Sequence, residues 1–344
     1  MPDPAFALAV FAIFSCLLAI LFWPRHGLVW RIEGMFVDSE RVDVEDALKH
    51  LYDYEYSGSK ATVDSVAGCL SISQSRAVEL IGRLQSLGLV EVGDHSLVLT
   101  ATGRSSALRV IRIHRLWEKY LAEHTGVDET QWHHVAERWE HTTSPEDADA
   151  LAARLANPRF DPHGDPIPLP NGEMPAASGV NLTTVSAGQS ARIVHVEDEP
   201  DAIYAQLIAV GLHIGMIVRV NESTASRVRI EFEGEECVLA PIVVSNVTVV
   251  VLPKQSAQTK PFERLADLKP PMRAKVVGFS PACRGPQTRR LLDLGFVEGT
   301  IVEAELVSPV GEPIAFRVRG ALIALRRDQA RMVYVNSNIE KVAS

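Results

Sequence analysis

Two short runs near the middle of the chain decide the fold: IRIHRLWE at residues 111–118 and HHVAERWEH at residues 133–141. Positions i, i+4, i+7 and i+8 lie on the same face of a helix. The later run therefore predicts one helix face carrying four polar side chains, which are His133, Glu137, Glu140 and His141. By the same rule the earlier run predicts a neighbouring pair, His114 and Glu118.

Imidazoles and carboxylates without a thiolate form the ligand set that hard and borderline divalent ions take. These residues therefore favour Mn²⁺ or Fe²⁺ over a structural zinc site built on cysteine. A solvated helix face is the alternative interpretation. Glu137-x-x-Glu140-His141 is also close to the H-x-x-E-H pattern of some zinc proteases, but its first position is not histidine. We expect a metal site and no enzymatic activity.

The composition indicates a globular protein of several domains. The chain has 344 residues, 47% of them hydrophobic, and a formal net charge of -9. That charge gives no general attraction to nucleic acid, so any DNA contact requires a local basic patch. The cysteines are far apart, without C-x-x-C spacing, and predict a reducing compartment.

An uncharged, apolar run covers residues 6–23. Its length just suffices to span a bilayer, and no basic start or small-residue cleavage site marks it as a removable signal. Arg25 and Arg31 follow it, so the positive-inside rule predicts a single-pass membrane protein with its C-terminal domains in the cytoplasm. The alternative is a buried helix.

From residue 44 to about residue 103 the pattern is helix, helix, helix, hairpin. The third helix is predicted to begin after Ser73 and to end at Gly88, and a hairpin with a turn at Gly93 follows. These elements predict a winged helix-turn-helix, whose third helix enters the major groove of DNA. The residues expected nearest the bases are Ser73, Gln74, Ser75 and Arg76. A winged helix used only for protein interaction is the alternative.

The C-terminal part contains an internal repeat, because residues 205–218 match residues 289–302, with glycines at equivalent positions. Each copy is predicted as strand, short helix, glycine turn and alternating strands. Five-stranded barrels of the SH3 type fit that pattern. A proline- and glycine-rich segment, residues 157–168, separates the helical region from the first copy.

Taken in this order, the motifs resemble the diphtheria-toxin-repressor family of iron- and manganese-dependent transcriptional regulators, and the two repeats resemble FeoA domains. The resemblance rests on the paired His114 and Glu118, on the later run from His133 to His141, and on the GDPIP segment at residues 164–168. It covers about residues 44–168.

The resemblance implies which residues hold metal. The primary site would be formed by one residue of the DNA-binding domain and three of the later helix, which are Asp46, Glu137, Glu140 and His141. A second site would be formed by His114, Glu118 and His133. Oxygen ligands at Asp46 and Glu137, where iron-type members carry softer ligands, favour Mn²⁺.

We therefore expect an α+β protein with five parts. These are a transmembrane helix at residues 5–24, a winged helix-turn-helix at 40–104, a helical metal-binding and dimerisation domain at 105–170, and SH3-like FeoA domains at 180–252 and 262–338. The expected function is a dimeric, Mn²⁺- or Fe²⁺-dependent DNA-binding regulator, a repressor of metal-homeostasis genes. The rival is a membrane-anchored, FeoA-like interaction protein acting on a ferrous-iron transporter.

Overall fold

The computed structural model describes residues 28–93, 96–253 and 263–336. The chain divides into two compact units, the first ending at Ile111 and the second beginning at Arg112. The long helix Ala101–His124 begins in the first unit and continues into the second.

The first unit has the predicted order of elements. Its bounds are α1 Leu28–Tyr56, α2 Val63–Cys69, α3 Gln74–Ser86, β1 Val90–Val92 and β2 Leu97–Leu99. The two strands pair antiparallel. Helix α1 is longer than expected, because no proline in residues 28–45 ends the helix where the amphipathic pattern begins.

Helix α3 owes its bounds to local chemistry. The Ser73 side chain accepts a hydrogen bond from the Arg76 backbone N–H at 3.3 Å and so caps the first turn. Gly88 follows the last turn with a φ of 68°, a left-handed conformation that glycine adopts at little cost. The apolar positions at helical spacing are buried, and these are Ala77, Leu80, Ile81 and Leu84.

The second unit opens with helices. Helix α4 is Ala101–His124, α5 is Trp132–Glu140 and α6 is Pro145–Arg154. Ile113 and Leu116 of α4 pack with Ala148 and Leu151 of α6. The loop after α6 has no regular secondary structure, yet it is tied back on itself by a bond from the Ile167 N–H to the Arg159 carbonyl at 2.9 Å.

The two repeats follow, each with its own hydrophobic core. The first contains β3 Val180–Asn181, β4 Ser190–Val196, α7 Asp201–Val210, β5 Ile217–Ser223, β6 Val228–Phe232, β7 Glu235–Leu239, α8 Pro241–Val244 and β8 Val247–Val251. The second contains β9 Glu263–Arg264, β10 Arg273–Phe279, α9 Gly285–Asp293, β11 Ile301–Val307, β12 Ile314–Val318, β13 Ala321–Leu325, α10 Arg327–Arg331 and β14 Val333–Asn336.

The repeats share one strand order. The first sheet runs β3-β8-β4-β5-β6-β7 and the second runs β9-β14-β10-β11-β12-β13. Each has six strands instead of the predicted five, because a two-residue strand pairs with the last strand of its own repeat. Gly211 and Gly295 end the equivalent helices with φ of 88° and 93°. The mixed helix-and-sheet fold class is confirmed.

The predicted membrane helix at residues 5–24 lies outside the described residues. Within residues 28–93, 96–253 and 263–336, no helix has both the length and the apolar character that crossing a bilayer requires.

Candidate metal centre

The centre is built where α4 and α5 meet in the second unit. His114 and Glu118 lie one turn apart on α4, and His133 lies in the first turn of α5. Trp132 and Ala136 anchor α5 in the core that also contains Leu121. Because these apolar residues fix the helix, the adjacent polar positions face α4.

Three of the predicted ligands come together. His114 Nε2 lies 3.1 Å from Glu118 Oε1, and His133 Nδ1 lies 3.4 Å from the same oxygen. One ligand atom from each of the three residues lies within 4.8 Å of the others. Glu118 is 1% exposed. A carboxylate so deeply buried must be neutralised by partners, and two imidazoles meet that need.

The other predicted ligands of α5 have different surroundings. Glu140 is buried, accepts a hydrogen bond from His114 Nδ1, and has its second oxygen 3.5 Å from His141 Nε2. Glu137 is about half exposed, with Oε1 3.6 Å from His133 Nε2. The polar face of α5 is therefore buried at Glu140 and open to solvent at Glu137.

Two residues that sequence reasoning missed join this cluster. Asp198 follows strand β4 of the first repeat, and its Oδ2 lies 3.0 Å from His133 Nδ1. His163 belongs to the loop after α6, with Nδ1 3.8 Å from Glu118 Oε2 and 3.6 Å from Asp198 Oδ2. Glu118, His163 and Asp198 form a second group whose ligand atoms lie within 4.8 Å of one another.

A comparison of the two repeats contained a signal for Asp198. The first copy has Glu197, Asp198 and Glu199 after its first long strand, whereas the second copy has no carboxylate between residues 280 and 284. A run of three carboxylates that is present in one copy and absent from the other is a difference that a metal-binding role would explain. His163 lies in the sequence DPHGDP at residues 161–166, whose proline, glycine and aspartate residues are typical of a tight loop. In the structure the Asp161 side chain accepts hydrogen bonds from the backbone N–H groups of His163 and Asp165.

The electrostatics of the cluster couple its members. Burial alone would raise the pKa of Glu118, but the charges of His114 and His163 and hydrogen bonds from His114 and His133 hold it well below its ordinary range. Burial would lower the pKa of His163, yet the Glu118 charge raises it to about 10. The raised pKa values of His133 and His163 favour their protonated forms, whose charge balances the carboxylates, and a divalent ion would take over that charge.

The remaining predicted residues lie in the first unit. Asp46 lies on α1 and is half-buried. Ser73, Gln74, Ser75 and Arg76 are exposed at the start of α3. Arg76 is engaged with Asp43 at 3.3 Å and with Glu79 at 3.6 Å, while Gln74 donates to Asp64 at 2.5 Å.

Comparison of this chain with known proteins shows which family it belongs to. The domain described as "Iron dependent repressor, metal binding and dimerisation domain" matches residues 100–169, and the FeoA domain matches residues 180–251 and 263–337. The iron-dependent repressor IdeR of Mycobacterium leprae is 34% identical over 217 residues, which are 59% of this chain and 94% of that protein. The chain belongs to the diphtheria-toxin-repressor family.

Other members of this family agree with that assignment. The diphtheria toxin repressor of Corynebacterium diphtheriae is 32% identical over 50% of this chain and 81% of its own length. A solved manganese-dependent transcriptional repressor in complex with manganese is 28% identical and has a TM-score of 0.57, over 61% of this chain and 100% of its own. The structure of ScaR with bound Zn²⁺ is 26% identical, with a TM-score of 0.53 over 60% of this chain and 98% of its own.

The predicted family is therefore confirmed, and the predicted cofactor, Mn²⁺ or Fe²⁺, is confirmed at the level of the family. Members of the diphtheria-toxin-repressor family are transcriptional repressors, and the matched helical domain is one of metal binding and dimerisation. This assignment favours a regulator over the metallohydrolase that the Glu137-x-x-Glu140-His141 pattern could suggest.

The predicted location in the cell membrane was wrong. The relatives that this chain matches over most of their length are named as repressors, and this finding overturns the prediction. The described residues contain no helix able to cross a bilayer. An uncharged run of residues resembles a membrane span by composition alone, and composition carried that prediction. The repressors named above likewise give no support to a ferrous-iron transporter as a partner.

Proposed function

We propose that this chain is a Mn²⁺- or Fe²⁺-dependent repressor that binds operator DNA upstream of metal-homeostasis genes. One observation carries the proposal. A cluster of His114, Glu118 and His133, the first two of them buried, lies in the region that matches the metal-binding and dimerisation domain of iron-dependent repressors. A buried set of imidazoles and a carboxylate is costly without a cation or protons to balance it.

The regulatory ion is proposed to bind at a primary site formed by Asp46, Glu137, Glu140 and His141. Support for Asp46 comes from the family resemblance, and support for Glu140 and His141 from the 3.5 Å separation of their side chains. With one ligand from the DNA-binding part and three from α5 and the residue that follows it, an ion binds the two parts more tightly in one arrangement than in others. That difference in affinity is what couples metal occupancy to DNA binding.

The first unit is proposed to act as a winged helix-turn-helix at residues 40–104, with α3 in the major groove. The exposed start of α3 supports this role. Arg76 makes surface ion pairs with Asp43 and Glu79 that contribute only about 0–1 kcal/mol, so a phosphate can replace the carboxylates as its partner. Val78 lies on the same helix and is 58% exposed. Its side chain is apolar, and apolar side chains are the kind that contact thymine methyl groups in the major groove.

The remaining parts complete the proposed organisation. Residues 105–170 would form the dimer, so that two copies of α3 meet two half-sites of an operator. Residues 180–252 and 262–338 would form two SH3-like FeoA domains. The first of these supplies Asp198 to the cluster on α4 and α5, which is how a sheet domain can respond to metal bound between helices.

The test is a mobility shift with the full-length protein on its own promoter region, with Mn²⁺, with Fe²⁺ under anaerobic conditions, and with a chelator. We expect retardation only with metal. The Glu140→Ala variant should lose the metal-dependent shift, while a change at an exposed residue outside the cluster, Arg192→Ala, should not. Metal shown to be bound without any shift on promoter DNA would refute the proposed function.

A further inference from the structure

Strand β13 forms an edge of the second sheet and carries no charged side chain. Among the strands that the structure describes, it pairs with β12 and with no other. Its sequence, ALIAL at residues 321–325, is apolar throughout, and Ala321, Leu322 and Ala324 are exposed. Soluble proteins ordinarily protect such edges with charged residues, proline or a covering element, because a bare edge pairs with other strands.

The first repeat shows the same edge in a protected form. Strand β7 occupies the equivalent place in its sheet and has the sequence EECVL at residues 235–239. Both strands follow a two-residue turn that begins with a positive φ, 50° at Glu233 and 49° at Arg319, so the two sequences align position by position. Glu236 of β7 therefore corresponds to Leu322 of β13. One edge presents a carboxylate where the other presents a leucine that is 52% exposed.

The backbone of β13 has outward-pointing groups at two positions. Ala321 follows a two-residue turn, so it forms a hydrogen-bonded pair with the residue before the turn, and the pattern alternates along the hairpin. The N–H and C=O groups of Ala321, Ile323 and Leu325 accordingly point to β12. Those of Leu322 and Ala324 point away from it, where no backbone group of the described residues pairs with them.

The sequence of β13 is complementary to itself. When two copies of the strand lie antiparallel with Ile323 opposite its counterpart, Leu322 faces Ala324 and Ala321 faces Leu325. Each leucine then meets an alanine, so large and small side chains alternate across the contact. The same alignment makes Leu322 and Ala324 a hydrogen-bonded pair, which exchanges both N–H···O bonds. All the outward backbone groups of both strands are thereby paired.

We propose that β13 is a self-association surface, on which a second copy of this chain pairs antiparallel about Ile323 and joins the two sheets into one. The dimer contact of the proposed function lies elsewhere, in residues 105–170. A second two-fold contact would therefore link one dimer to another, and linked dimers would bind neighbouring operator sites cooperatively. That consequence rests on the proposed function, whereas the pairing itself requires neither metal nor DNA.

Sedimentation velocity of the full-length protein with a chelator, over a range of concentrations, tests the pairing. The parent should form assemblies with twice as many chains as the Leu322→Glu variant, which has the carboxylate that β7 carries at this place. Two Leu–Ala cross-strand pairs are lost in that variant, so the dissociation constant should rise by roughly 10-fold or more. Ala324→Pro removes an outward N–H and spares the bonds to β12, so it should act in the same way.

The matched control is Val238→Glu, which adds a charge to an exposed apolar position on the edge of β7 and should leave the assembly as in the parent. Circular dichroism of each variant shows that it is folded. Salt gives a further check. Arg319, Arg326 and Arg327 flank β13, so screening of their mutual repulsion should tighten the pairing as salt is added.

A disulfide test reports the register. Residues opposite each other in a non-hydrogen-bonded antiparallel pair have Cα atoms about 4.5 Å apart, a distance that a disulfide can span. Ile323→Cys should therefore cross-link two copies under mild oxidation, beyond any linkage that the parent's own cysteines give. Ala321→Cys is at a more exposed position but should not cross-link, because its place lies opposite Leu325 of the other copy.

The outcomes separate this inference from the proposed function. Equal assembly sizes for the parent and a folded Leu322→Glu variant at every concentration, or equal cross-linking of the two cysteine variants, would overturn self-pairing at β13. Either result leaves metal-dependent repression standing, since these measurements use neither metal nor DNA. Failure of metal to promote DNA binding would overturn the proposed function and leave the pairing intact.

Discussion

Gly164 offers the sharpest test of how the loop after α6 is joined to the first repeat. Its φ is 95°, and a Cβ added there would lie 2.1 Å from the Val194 carbonyl oxygen of β4. Non-bonded carbon atoms prefer about 3.5–4.0 Å, so Gly164→Ala must push the loop away from β4 by roughly 1 Å. The left-handed conformation adds about 1–2 kcal/mol for alanine.

That displacement acts directly on the group formed by Glu118, His163 and Asp198, whose ligand atoms lie within 4.8 Å of one another. His163 precedes Gly164, while Asp198 lies just beyond the end of β4, so a wider gap between loop and strand separates the two ligands. Metal–ligand distances tolerate only about 0.2 Å. We expect Gly164→Ala to weaken Mn²⁺ binding at this position by roughly 10- to 100-fold, the range found when the surroundings of a metal ligand are disturbed.

Calorimetric titration of Mn²⁺ measures the effect, and Gly188→Ala is the matched control. Gly188 precedes β4 with a φ of 85°, but a Cβ there meets nothing within 4 Å. It should lose stability through the backbone alone and keep its metal affinity. Equal Mn²⁺ affinity in the two variants would refute the argument that the close approach at Gly164 positions the ligands.

The other predictions concern the primary site, the DNA contact and protein stability. Glu137→Cys should shift the order of metal affinities toward softer ions such as Zn²⁺ and Cd²⁺, measured by competition titration, because a thiolate replaces an oxygen ligand. Arg76→Ala should weaken metal-dependent DNA binding and reduce the slope of log K against log salt by about one, if it meets one phosphate. Burial lowers the pKa of His213 to about 4, so the unfolded chain takes up its proton below about pH 6.5 while the folded chain does not. The free energy of unfolding therefore falls as the pH drops from 6.5 toward 4, and the loss between pH 7 and 5 is about 2 kcal/mol. His213→Gln should abolish that part of the loss, measured by urea unfolding with a chelator present.

Each of these three predictions has a control variant and a result that would contradict it. Glu137→Gln should bind metal more weakly without a softer preference, and a Cys variant with the parent's order of affinities would remove Glu137 from the ligand set. Arg83→Ala, which breaks an ion pair with Glu40 at the far end of α3, should leave the salt slope nearer that of the parent. Parallel pH profiles for parent and His213→Gln would show that His213 does not titrate as its burial implies.

The sequence by itself determined the local elements. Periodicity, the Ser73 cap and Gly88 were enough to place α3 and the hairpin, since a helix and a tight turn depend on neighbours within a few residues. The spacing of His114 and Glu118 was enough to predict their contact for the same reason. The repeat was visible because each copy needs glycine where its chain enters the left-handed region, as at Gly211 and Gly295.

Only the tertiary structure decided what surrounds Glu118. His163 lies in a loop and Asp198 follows a strand, and both are far from Glu118 in the sequence. No periodic pattern around either residue predicts that it contacts α4. A carboxylate in an acidic loop resembles an ordinary solvated residue until packing buries its partner. The ligands of a buried centre must lie close together in the folded chain. Sequence spacing predicts the distance between two side chains only when both lie on the same helix or strand.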